Sequence, residues 1–146
     1  MWIIFALSAA ILWGVSYASS GRVIERGMAP FSFFFCYALF SAITAAGGLA
    51  FTGKLGALPG EVRGLGGDLV WFVVAVLSSA AGTLLIYMAI GEKNATLASL
   101  IEISYPLFVA LFAWAFFRDV QINLGTLLGG AMILGGVAVV FLSNRH

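Results

Sequence analysis

Residues 94–117 read "NATLASLIEISYPLFVALFAWAFF". The run is oily and long enough to cross a bilayer, because a helix needs about 20 such residues for the hydrocarbon core. Yet it holds Glu102 and, four residues on, Pro106. A carboxylate at that depth is costly, and proline removes one helical hydrogen bond. In lipid there is no water to satisfy the backbone, so a spanning segment must bond within itself as a helix. The fold class therefore turns on whether the rest of the chain reads in the same way.

It does. Of 146 residues, 62% are hydrophobic and 9% charged, whereas soluble domains carry about 25% charged residues. So few charges cannot cover a water-facing surface, and the partner of most of this chain is the lipid bilayer. The net charge of +1 comes with no basic block, which excludes a nucleic-acid interface. The lone Cys36 excludes an internal disulfide and a cysteine-rich metal site, and reads as a small apolar residue packed in a helix. His146 reads as a polar end. Residues 1–20, "MWIIFALSAAILWGVSYASS", lack the positive region and short apolar core of a signal peptide, and are read as a spanning helix.

Five segments qualify as spans: Trp2–Ser20, Pro30–Thr52, Leu69–Ile90, Ala95–Phe117 and Ile122–Leu142. The expectation is an all-α membrane protein, one five-helix domain over residues 1–146. The links "GEKN" and "RDVQ" are so short that the third, fourth and fifth spans are expected to be antiparallel neighbours. The glycine-rich link "GKLGALPGEVRGLGGD" reads as a flexible surface loop. Its "GLGG" follows no strand, so it is a poor phosphate loop. "NAT" at Asn94 matches a glycosylation sequon but abuts the membrane. Orientation follows lysine and arginine in short loops. One side holds Arg22, Arg26, Lys93 and Arg145, the other Lys54, Arg63 and Arg118. Four against three gives no bias, which leaves two readings open: a fixed topology poorly reported by charge, or insertion in both orientations.

Polar residues recur at helical spacing, which puts them on shared faces. The first span carries Trp13, Ser16, Tyr17 and Ser20. The third carries Ser79, Thr83 and Tyr87, and the fourth Ser99, Glu102, Tyr105 and Pro106. In lipid such groups need partners and are expected to face other helices or a wet cavity. Interhelical bonding is the plainer role for the hydroxyls. Trp13, Tyr17 and Tyr87 lie inside their spans rather than in an interfacial belt, which suits the walls of a substrate path. The fifth span places Gly125, Gly129 and Gly136 on one face, with Gly130 and Gly135 nearby. Gly125 and Gly129 form a GxxxG pair that lets helix backbones approach closely. The partner is either another helix of this chain or the same helix of a second copy.

Pro106 leaves the carbonyl of residue i−4 without its helical donor, and that residue is Glu102 itself. Side chain and backbone thus offer acceptors together, about 10 Å into the span. Two roles fit Glu102: a structural hydrogen-bonding group, or the coupling or gating carboxylate of a transporter, with Pro106 opening the helix beside it.

Residues 7–33, "LSAAILWGVSYASSGRVIERGMAPFSF", resemble the opening of the EamA-type domain of the drug/metabolite transporter superfamily. The resemblance lies in Trp-Gly-x-Ser, a basic residue, then Pro-Phe entering the second helix. Residues 86–119, "IYMAIGEKNATLASLIEISYPLFVALFAWAFFRD", are similar to its helix 3–4 hairpin, and residues 125–140, "GTLLGGAMILGGVAVV", to its glycine-rich last helix. The order and spacing of these pieces cover nearly the whole chain. Two positions depart from the pattern. Tyr37 stands where members often carry arginine early in the second helix, and Asp119 where many carry glutamate after the fourth. Typical members have ten helices in two inverted five-helix repeats. The resemblance thus implies that this chain is half of a ten-helix inverted-repeat transporter, multi-pass in the cytoplasmic membrane and prokaryotic in type.

The expected function is secondary transport of a small metabolite or drug-like solute by a dimer. That dimer is expected to be an antiparallel homodimer working by alternating access, with proton coupling at Glu102. The spacing of reactive side chains offers no nucleophile–base pair, metal cluster or cofactor loop, so neither an enzyme, a metal site nor a cofactor is expected. Two alternatives stand beside this reading. One is an accessory membrane subunit pairing with a paralogous half. The other is a passive dual-topology pore, which would need rings of charge or carbonyls, and only Glu102 could supply them.

Overall fold

The computed structural model of the chain describes residues 1–118 and 123–144. Asp119, Ile122, Arg145 and His146, and with them most of the "RDVQ" link, lie outside the described residues. Among those described, the regular structure is helical, with no strand. The helices are α1 (Trp2–Glu25), α2 (Pro30–Phe51), α3 (Leu58–Gly64), α4 (Leu69–Glu92), α5 (Ala95–Glu102), α6 (Tyr105–Phe117) and α7 (Leu124–Ser143). Five stretches are long and apolar enough to cross a membrane: α1, α2, Gly66–Glu92, α5 with α6, and α7. This is an integral, multi-pass, all-helical membrane protein.

Three parts of the chain differ from the sequence-based expectation by more than a residue or two. The first helix runs past Ser20 to Glu25, because nothing in "GRVIE" breaks a helix. It stops at Gly27, whose φ is 103°. There the Gly27 N–H bonds to the Ile24 carbonyl at 2.9 Å and the Met28 N–H to the Val23 carbonyl at 3.4 Å, the paired bonds of a Schellman motif. Gly53 ends α2 in the same way, with φ 69°. The link after α2 is not a plain loop. It winds into α3 and a 3-10 turn at Gly66–Asp68. Pro59 falls in the first turn of α3, where its missing N–H costs nothing. Glu61 near the start and Arg63 near the end complement the helix dipole.

The third difference is at the opening stretch. The fourth span is two helices, α5 and α6, separated by Ile103 and Ser104. Pro106 sits in the first turn of α6. Around the break the ladder tightens to i−3 bonds, from Ser104 N–H to the Ile101 carbonyl at 3.2 Å and from Leu107 N–H to the Ser104 carbonyl at 3.1 Å.

The chain divides into two compact units, one of Met1–Ser19 with the chain from Glu92 onward, the other of Ser20–Gly91. In the second unit Ser20, Ile24, Ile86, Tyr87 and Ile90 are buried. A Cβ on Gly91 would lie 3.3 Å from Pro30 Cγ and 3.4 Å from Ile24 Cγ2, so the end of α1, the start of α2 and the end of α4 converge there. In the first unit α5 packs on α7, Ala98 is buried, and Leu107 of α6 fills the space left by Gly130 of α7. Elsewhere large apolar side chains point outward, as Ile11, Phe40 and Met132 do at 68%, 70% and 79% exposure. Lipid tails are as apolar as leucine, so such faces carry no penalty in a bilayer. Cys36, expected to be packed, is exposed on α2.

The turn at Gly27 gives a direct test. An L residue held in left-handed backbone costs about 1–2 kcal/mol. Gly27→Ala is expected to lower the melting temperature of the detergent-solubilised protein, measured by circular dichroism. An unchanged melting temperature would show that the α1–α2 turn has another low-energy form.

Candidate functional site

Glu102 closes α5 at the point where the fourth span breaks. Its side chain reaches α1. The Tyr17 hydroxyl donates to Glu102 Oε1 at 2.9 Å, in a partly buried contact between residues 85 apart in sequence. One turn earlier on α1, Trp13 leans against Tyr17, with ring centroids 5.4 Å apart and planes at 44°. Indole, phenol and carboxyl thus form one continuous line, and Ser16 lies half-buried on the same helix. Tyr17 lies about 12 Å from Glu25 at the end of α1 by the helical rise. The contact therefore falls well inside both spans.

The local sequence explains each part. Helical periodicity carries Trp13 and Tyr17 four residues apart onto one face. Asn94 caps α5, its side-chain oxygen accepting from Leu97 N–H at 2.8 Å. That cap fixes where α5 begins, and Pro106 fixes where the next helix starts. Between these two stops Glu102 occupies the last turn of α5. The "NAT" sequon asparagine is thus a helix cap. Asn123 does the same for α7, accepting from Thr126 N–H at 2.9 Å. Asparagine just before an apolar run is a start signal readable from sequence.

The other expected path residues lie as follows. Ser99 is half-buried on α5 and donates to the Thr96 carbonyl at 3.0 Å. Tyr105 and Pro106 open α6, and both are exposed. Ser79, Thr83 and Tyr87 belong to the unit Ser20–Gly91. There Thr83 Oγ1 donates to the Ser79 carbonyl at 2.9 Å. Tyr87 is fully buried, edge-on to Phe33 at 4.8 Å and to Tyr37 at 5.9 Å between centroids. Periodicity on α4 alone gave no sign of these α2 partners. The hydroxyls correct one premise. Thr44, Ser78 and Thr83 bond to carbonyls four residues back in their own helices, and Ser104, at the α5–α6 break, bonds to the Ile101 carbonyl of α5. A hydroxyl in lipid therefore needs no second helix, because the carbonyl one turn back is in reach.

On α7, Gly129 and Gly136 face open space, with no atom within 4 Å of a Cβ built there. Gly125 has its own cap beside it, Asn123 Oδ1, at 3.2 Å. The glycine that makes the close contact inside the chain is Gly130, against Leu107.

A carboxyl that accepts from a phenol at membrane depth, beside a helix break, can exchange a proton or hold a cation. Such discontinuous helices line solute and ion sites in secondary transporters. The family model described as the EamA-like transporter family matches residues 1–142. No curated protein and no solved structure matches the chain.

Proposed function

The chain belongs to the EamA-like transporter family, and from that premise we propose that it is a secondary transporter of a small metabolite or drug-like solute, coupled to protons through Glu102. The observation that carries the coupling is the Tyr17–Glu102 hydrogen bond beside the α5–α6 break. Movement of α5 relative to α1 would make or break that bond. Loss or gain of a proton at Glu102 would change its strength, since hydrogen bonds to charged groups are stronger. Trp13, Ser16, Ser99 and Tyr105 are proposed to border the path with Tyr17, and Ser79, Thr83 and Tyr87 to do so in another stage of the cycle. Alternating access would then expose the site to each side in turn.

We place the protein in the cytoplasmic membrane of a prokaryote, as a homodimer whose copies are antiparallel. Two features support the pairing. The near-equal loop charges set no orientation, and the Gly129 and Gly136 face of α7 is open. The coupled flux is tested with the purified chain in vesicles holding a pH-sensitive dye. Amines, amino acids, sugars and nucleosides are added in turn, and a proton flux that one of them drives is expected.

Topology is tested separately. In a Cys36→Ala background, Asn144→Cys is expected to react with a membrane-impermeant maleimide from both sides of the membrane, in similar amounts. Labelling from a single side would exclude dual insertion of this chain expressed alone.

A further inference from the structure

Glu102 is alone in its setting. In the five spanning stretches every other charged side chain lies in a terminal turn: Arg22 and Glu25 at the end of α1, Asp68 and Glu92 at the ends of the third stretch. Arg26, Lys54, Arg63, Lys93 and Arg118 lie outside the spans or at their ends. Among the described residues, the spanning stretches therefore offer a solute at the depth of Glu102 a carboxylate and no basic side chain. An anion there lacks a counter-ion, and a like charge in a poorly solvated site is strongly unfavourable.

The neighbours of the carboxylate narrow the class further. Trp13 is 41% exposed, so part of the indole stays open although it touches Tyr17. Indole is the best aromatic partner for a cation, which it holds within about 6 Å of the ring centroid. An ionised carboxylate accepts at about four lone-pair sites, and the hydroxyl of Tyr17 occupies one of them. We propose that Trp13, Tyr17 and Glu102 form a recognition site for an organic ammonium cation. The carboxylate holds its charge and the indole its methylene or methyl groups, while Tyr17 fixes the carboxylate between them. This rests on the reading that the Tyr17–Glu102 contact borders the transport path.

The test is calorimetric titration of the purified protein with three aromatic solutes of similar size and different charge: phenyltrimethylammonium, phenylacetamide and phenylacetate. The cation is expected to bind saturably, and the amide and the anion much more weakly. Trp13→Ala is expected to weaken cation binding about tenfold, between the scales of an exposed and a desolvated cation–π contact. Trp13→Phe should restore part of it, and Glu102→Gln should remove most. If Glu102→Gln fails to fold, the two Trp13 variants still decide. The proposal is overturned if the anion or the amide binds as well as the cation. It is also overturned if both Trp13 variants and Glu102→Gln leave cation affinity unchanged, or if folded protein does not bind the cation. Transport measured in vesicles separates the two failures. Flux of another solute that remains sensitive to Glu102→Gln leaves the path in place and removes only the cation class. Insensitive flux removes the path through Glu102 as well.

Discussion

Glu102→Gln is expected to fold, insert and stay in place, yet to carry no solute flux driven by a pH gradient. Glutamine keeps the shape of the side chain and an oxygen that can accept from Tyr17. It cannot take up or release a proton. The structural loss is bounded. Hydrogen bonds between membrane helices average about 0.6 kcal/mol and reach about 1.7, so even a complete loss of the Tyr17 contact leaves the helices standing. The functional loss is not bounded in that way, because coupling needs one site to hold either a proton or the solute. Pro106→Ala is expected to act on the same element from the other side. Restoring the N–H closes the ladder at the break between α5 and α6, so transport should fall while the melting temperature holds or rises. Both variants are measured in reconstituted vesicles beside the wild type, across pH 5.5–8.5, about one and a half units either side of neutral. If Glu102→Gln transports normally throughout, Glu102 is a structural acceptor for Tyr17 and the coupling assignment is wrong.

The spans were legible because their signal is additive: each needs only enough consecutive apolar residues, and the five stretches run long enough. Their ends were less legible, because lipid length and helix length are different quantities. At about 36 Å, α1 outlasts the hydrocarbon core, and its end is set by backbone conformation at Gly27. The short helix α3 was missed because glycine and proline in its link read as breakers, although Pro59 stands where a helix can begin. At the candidate site, Glu102 and Pro106 were visible by their cost alone. That Tyr17 of α1 is the partner of Glu102 was not visible, since no local pattern joins residues 85 apart. Nor does spacing show where a hydroxyl spends its bond: Thr83 and Ser99 share faces with other polar residues, yet both donate to carbonyls of their own helices.

The glycines of α7 separate two kinds of packing, and Gly129→Leu is expected to weaken the proposed dimer more than it weakens the single chain. Consecutive residues on a helix are turned by about 100°, so Gly129 and Gly130 look in different directions. Gly130 looks inward, where a Cβ would collide with the side chain of Leu107. Gly129 and Gly136 look where the chain has no atom within 4 Å of a Cβ. The Cβ of a leucine at position 129 therefore has room within its own chain, and thermal unfolding of this variant, read beside its dimer, separates an effect inside the chain from one outside it. If a second copy packs there, the added side chain overfills the contact. Overfilling typically costs about 1–3 kcal/mol, roughly a ten- to hundredfold rise in the dimer dissociation constant. Gly130→Leu supplies the contrast, because it should lower the melting temperature of the chain by displacing Leu107. Sedimentation in detergent reads the first effect and thermal unfolding the second. Full dimer and full transport in Gly129→Leu would mean that lipid, and not a second copy, covers this face of α7.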